Sequence, residues 1–237
     1  MKSFDNLKRK RIYLFRHGEV SYINENGTGV ADPTKVSLTK TGENQAMLID
    51  QNTQNFKFER IVCSGLIRTK ETAGPISKRR GLKIEIYNEL DEIKGGTKKN
   101  NEKPDLYKDI AYHFENISSN KDKFFGSGEN YFLFQKRILR KLEEILTEEW
   151  HSMALILHGG VNAMILSWVA NMHISGAAIF DQVPGCMNII DIDFDKNNKI
   201  YRKTIRAINI PPDTTSLDAN YFNSWEGVAE KIKPFFN

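Results

Sequence analysis

Residues 11–20 read RIYLFRHGEV, and residues 153–160 read MALILHGG. Each is an apolar run too short for a helix, and each delivers a histidine followed by glycine at its end. Such runs read as buried strands passing into loops. A third run, RIVC at 60–63, leads into Ser64. Between and after these runs the spacing turns helical. Residues 39–50 (TKTGENQAMLID) predict a helix opening at Thr39 or Thr41, and Ser64 is expected to cap a helix reaching about Arg80. Pro75 should kink or end that helix early. Residues 82–87 (LKIEIY) alternate like a strand. From 129 to 150, Tyr131, Phe134, Ile138, Leu142, Ile145 and Leu146 fall on one face of a long helix, a core-packing stripe. A helix at 161–171, two strands at 187–194 and 200–208 around the turn DKNNK, and a tail that packs back complete the pattern. Strands alternating with helices predict a three-layer α/β/α sandwich with a mainly parallel central sheet. Sites in such folds lie beyond the carboxyl ends of strands.

The chain has 237 residues, enough for a proper core, and reads as a single domain over 1–237. Residues 94–126 are polar and contain glycine, and they read as a possible cap or lid inserted into it. Composition is that of a globular protein, 40% hydrophobic and 27% charged. A net charge of +4 suits an anionic substrate but is far from the footprint of a nucleic-acid binder. The lysines of KKNNEKP at 98–104 lack interleaved aromatic residues, so a solvated lid is the simpler reading there. No apolar run reaches membrane-spanning or signal-peptide length, and the expected location is the cytoplasm, with no membrane partner. Cys63 and Cys186 lack metal or redox spacing and read as reduced, buried thiols.

The strand-end positions hold the chemistry. A neutral imidazole is a nucleophile, and Arg16 beside His17 offers a planar fork matched to phosphate oxygens. Gly18 lets backbone amides approach an anion. Arg68, in the first turn of its helix, sits where the backbone already favours negative charge. His158 ends another strand. Glu89, Asp91 and Glu92 follow the 82–87 strand, and a carboxyl near a phosphate pocket can remain protonated as a general acid. Each residue alone is ordinary. Two strand-end histidines, a helix-start arginine and a loop carboxylate together point to phosphoryl chemistry. His17 and His158 lack further ligands at metal spacing, so no metal is expected. His113, His151 and His173 belong to no motif and receive no role.

The set resembles the histidine phosphatase superfamily, the phosphoglycerate mutase-like family. The matching motifs are LFRHGEV, SLTKTGENQA, SGLIRTKETA, LDEIKGG, GSGENY and LILHGGV, in the family's order from about residue 11 to 190. The resemblance implies a phosphohistidine mechanism without metal or cofactor. His17 is similar to the family nucleophile, and Arg16, Arg68 and His158 to its phosphate pocket. Glu92 is the best match for the proton donor, with Glu89 in reserve, because Lys94-Gly95-Gly96-Thr97 replaces the more usual Gly-x-Trp-Glu-Gly pattern. Asn24 stands one residue beyond the place of a phosphate-binding asparagine, which Ile23 occupies. The expected activity is hydrolysis of a small phosphomonoester. The alternatives are a phosphoglycerate mutase-type isomerase, or a phosphate-binding regulatory module without turnover. Lys94, Lys98 and Lys99 are candidates for a second anionic group on the substrate.

Overall fold

In β1 (Lys8–Arg16) successive side chains point to opposite faces of a sheet. Ile12 and Leu14 enter one buried cluster, and Phe15, with Tyr13 packed beside it, enters another. The first cluster takes the stripe of α4 (Tyr131–Thr147) and most of α5 (Gly159–Val169). The second takes Ile49 from α1 (Lys40–Asn52) and Ala73 and Ile76 from α2 (Ile67–Arg80). Helices therefore cover both faces of the sheet. The computed structural model describes residues 7–24, 30–96, 106–115, 117–213 and 222–235.

The sheet has six strands in the order β3-β2-β4-β1-β5-β6. The pairs among β3 (Ile84–Ile86), β2 (Arg60–Cys63), β4 (Ser152–Leu157) and β1 are parallel. β5 (Met187–Phe194) runs antiparallel to β1, and β6 (Ile200–Ile210) antiparallel to β5, so the sheet is mixed. A tight turn at 195–199, with Asn198 at φ 58°, joins β5 to β6 as a hairpin and makes that pair antiparallel. β3 is shorter than the alternation at 82–87 predicts, because it pairs only with Ile61–Cys63 of a four-residue neighbour.

α2 reaches Arg80 as expected and does not end at Pro75, and Gly81 after it takes a left-handed φ of 64°. Burial of Ala73 and Ile76 and the bonds from Arg79 and Arg80 to Asp50 of α1 hold the turns around the proline. Nor does Ser64 cap α2. The N-cap is Leu66, without a side-chain cap bond, and Ser64 is committed elsewhere.

Of the expected insertion at 94–126, residues 97–105 and 116 lie outside the described residues, Lys98 and Lys99 among them. The described part includes α3 (Leu106–Ala111), whose Ile110 and Ala111 pack on Ala229 of α6 (Ser224–Ile232). Among the described residues, no helix is long and apolar enough to cross a membrane.

Candidate active site

Register brings the site together. Arg16 is opposite Leu157 and Cys63 opposite Ile156, so His17, His158 and Ser64 leave three neighbouring parallel strands side by side. The rings of His17 and His158 lie 5.2 Å apart, edge to face. Both are buried, His17 at 3% exposure and His158 at 0%.

His17 is oriented by two contacts. Its Nδ1 lies 2.7 Å from the carbonyl oxygen of Gly18, an acceptor, so Nδ1 carries the proton. Nε2 then holds the lone pair, and Arg68 Nε donates to it at 3.2 Å. Burial first, then the charges of Arg68 and Arg16, hold the His17 pKa well below its ordinary value. The imidazole is neutral at pH 7.

The loop after His17 is pinned by α1. Thr39 caps that helix through Gly42 N at 3.1 Å, and Gln45 Oε1 accepts from Glu19 N at 2.7 Å. A Cβ on Gly18 would lie 2.5 Å from the Gly42 carbonyl oxygen and one on Gly42 2.2 Å from the Glu19 carbonyl oxygen, so both segments need glycine at this crossing. Gly18 N donates to Thr72 Oγ1 at 3.0 Å, which ties the same loop to α2.

Ser64 Oγ lies 2.7 Å from His158 Nε2, and burial, Arg68, His17 and Arg16 in that order hold this histidine neutral as well. His158 Nδ1 is buried without a protein partner. Arg16 donates through Nη1 to the Gln182 carbonyl, while its Nε is likewise buried and unpartnered. The Cβ position of Gly159 is 3.5 Å from that Nε, an ordinary contact.

Glu92 stands over the first turn of α5. Its Oε2 accepts from Gly160 N at 3.0 Å and its Oε1 from Ile93 N at 3.0 Å. Burial pushes its pKa up, against the opposing pull of those two amides and of Arg68 and Arg16. Glu89 is elsewhere: it is exposed, and its carboxylate pairs with Lys141 at 3.2 Å. Asn24 is exposed on the loop beyond β1, next to residues outside the description. The structure thus gathers Arg16, His17, Arg68, Glu92 and His158, and leaves Glu89 outside that cluster. Sequence reasoning missed the Ser64–His158 contact, which depends on the β2–β4 register. It also missed Arg137 of α4, which donates to the Glu89, Asp91 and Glu92 carbonyls and whose only signal was a polar position opposite an apolar stripe. Among the described residues, no group of three or more His, Cys, Asp or Glu is placed to hold a metal ion.

The model of the histidine phosphatase superfamily (branch 1) matches residues 12–203. The adenosylcobalamin/alpha-ribazole phosphatase of Escherichia coli is 25% identical over 201 residues, covering 84% of this chain and 95% of that one. A probable phosphoglycerate mutase of Salmonella arizonae is 25% identical over 152 residues, 64% of this chain and 70% of its own. The mycobacterial glucosyl-3-phosphoglycerate phosphatase has the same fold, with a TM-score of 0.70 at 18% identity, covering 86% of this chain and 100% of that one.

Proposed function

The chain belongs to the histidine phosphatase superfamily, and from that premise we propose that it hydrolyses small phosphomonoesters through a phosphohistidine formed on His17. The observation that carries the reading is the clamped imidazole: Nδ1 on the Gly18 carbonyl, and Nε2, with its lone pair, beside the Arg68 guanidinium. The buried, unpartnered Arg16 Nε supports it, because a buried donor calls for an acceptor and phosphoryl oxygens are strong ones.

In the first step the Nε2 lone pair of His17 forms the N–P bond as the ester P–O bond breaks. Glu92, whose pKa burial raises, gives a proton from its carboxylic acid form to the departing oxygen. Arg16, Arg68 and His158 hold the three phosphoryl oxygens, so catalysis is mainly positioning and charge stabilisation. In the second step water forms an O–P bond, the N–P bond breaks, and the Glu92 carboxylate takes the water proton. Residues 1–237 act as a single domain in this reading, with 94–126 as a lid that selects among substrates. Lys94 is exposed, available to a second anionic group.

The test is a panel of phosphomonoesters, with and without chelator, on the parent protein and His17→Ala, together with trapping of labelled phosphate on the protein. Turnover insensitive to chelator and lost in the variant, with acid-labile label on the parent only, is the expected result. Label that persists in His17→Ala sinks the assignment. Isomerisation of a phosphoglycerate without hydrolysis moves the reading to a mutase.

A further inference from the structure

Glu92 lies on a loop with little regular structure of its own. β3 ends at Ile86, a short 3₁₀ turn covers Asn88–Leu90, and residues 92–96 belong to no helix or strand. A general acid on such a loop must be held within hydrogen-bond reach of the departing oxygen. A side chain from another element holds the loop's backbone through three carbonyl contacts. Arg137 Nη1 donates to the carbonyls of Glu89 and Asp91, both at 2.7 Å, and Nη2 to that of Glu92 at 3.1 Å. Its other edge is bidentate on Glu129, Nε to Oε1 at 2.7 Å and Nη2 to Oε2 at 2.9 Å. A guanidinium has five N–H donors, and these bonds employ all of them.

Glu129 extends the clasp. Its carboxylate accepts from Lys94 N at 3.1 Å, and its own N–H donates to the Lys94 carbonyl at 2.8 Å. The backbone is therefore fixed on both sides of Glu92 by one ion pair. The base is rigid: α4 buries Phe134, Ile138 and Leu142, and the Arg137 guanidinium lies 4.9 Å from the Phe134 ring. Arg137 and Glu129 are themselves largely shielded, at 21% and 15% side-chain exposure.

We propose that Arg137, braced by Glu129, is a positioning residue that aims the Glu92 carboxyl at the leaving group. The proposal rests on the reading of Glu92 as proton donor. A lysine keeps the charge but concentrates its donors at one point and cannot span three carbonyls and a carboxylate. A role in charge balance alone would survive Arg137→Lys; a role in aiming would not.

The experiment compares phenyl phosphate with 4-nitrophenyl phosphate, which match in shape but differ in how much the leaving oxygen needs a proton. Glu92→Gln is the reference and should slow phenyl phosphate by about tenfold more than 4-nitrophenyl phosphate. Arg137→Lys and Glu129→Gln should show the same bias, about threefold or more, with inhibition by inorganic phosphate unchanged. Two variants acting from opposite ends of the clasp keep the test valid if one folds poorly. Equal losses on both substrates in the clasp variants, with Glu92→Gln still biased, overturn the proposal and leave Arg137 a structural residue. An unbiased Glu92→Gln overturns the donor assignment itself, and the clasp proposal with it.

Discussion

His17 is buried between two guanidinium groups, and that environment fixes its protonation state before any substrate arrives. The sign of the resulting pH dependence follows. Burial and both arginines lower the His17 pKa, so attack is competent at neutral pH and fails only in acid. Burial raises the Glu92 pKa, so the donor form is present below that raised value and is lost as pH climbs through it. The leaving-group burst should therefore slow on the alkaline side, and Glu92→Gln should lower the rate and flatten that limb. A limb that persists in Glu92→Gln would assign it to another group. Arg68 touches Nε2 of the proposed nucleophile, so Arg68→Ala should cost about a hundredfold or more in kcat. Ser64→Ala removes the hydroxyl 2.7 Å from His158 Nε2, and about a tenfold loss of kcat with little change in melting temperature is expected. Unchanged kinetics would leave that hydroxyl without a part in the chemistry. His17, Arg68 and His158 were legible because strand ends and helix starts mark such positions in a sequence. Ser64 was misread as a cap because its partner lies on another strand, 94 residues away.

At the scale of elements, α5 presents two consecutive glycines whose demands differ. A Cβ on Gly159 meets nothing closer than 3.5 Å, whereas one on Gly160 would lie 2.6 Å from Glu92 Oε1. The clashing atom is the end of a flexible side chain, so Gly160→Ala should fold normally while displacing the carboxyl. Steady-state assays with phenyl phosphate should show a loss of about tenfold or more for Gly160→Ala and a small change for Gly159→Ala. Equal behaviour of the two variants would remove the Glu92–Gly160 contact from the account. The helices themselves were legible in proportion to how far one face is buried. The α4 stripe read from spacing matches the buried set residue for residue. α2 was harder, since Pro75 argues locally against the helix while Ala73, Ile76 and the Asp50 ion pairs argue for it from another element. The expected mainly parallel sheet holds for β1 to β4, and the turn read at DKNNK closes the β5–β6 hairpin through Asn198, whereas the antiparallel pairing of β5 with β1 was not read from the sequence.

Across the whole molecule, the tail returns to the body through α6, an expectation legible in the aromatic residues after position 221 but not in where they dock. Trp225 packs 4.2 Å from the ring of His113, which also contacts Phe114 and Phe124 at 3.8 and 5.1 Å. The sequence offered no role for His113, because an isolated histidine carries no sign of burial. In the fold it is 3% exposed, its Nδ1 lies 3.4 Å from the Tyr131 hydroxyl, and its Nε2 has no partner. Glu115 and Asp181 line the small cavity beside it, and burial depresses its pKa to about 3. The unfolded chain protonates this histidine near its ordinary value of about 6.5, so below that pH the unfolded state binds a proton that the folded state refuses. Stability is full above about 6.5 and is lost as pH falls toward 3, at about 1.4 kcal/mol per pH unit once the unfolded state is fully protonated. His17 and His158 act in the same direction, so the decisive quantity is the difference between proteins. Urea unfolding at pH 7 and pH 5 should show His113→Phe losing less stability over that interval than the parent. Parallel losses would mean that His113 becomes protonated without unfolding the interface between α6 and the residues around it.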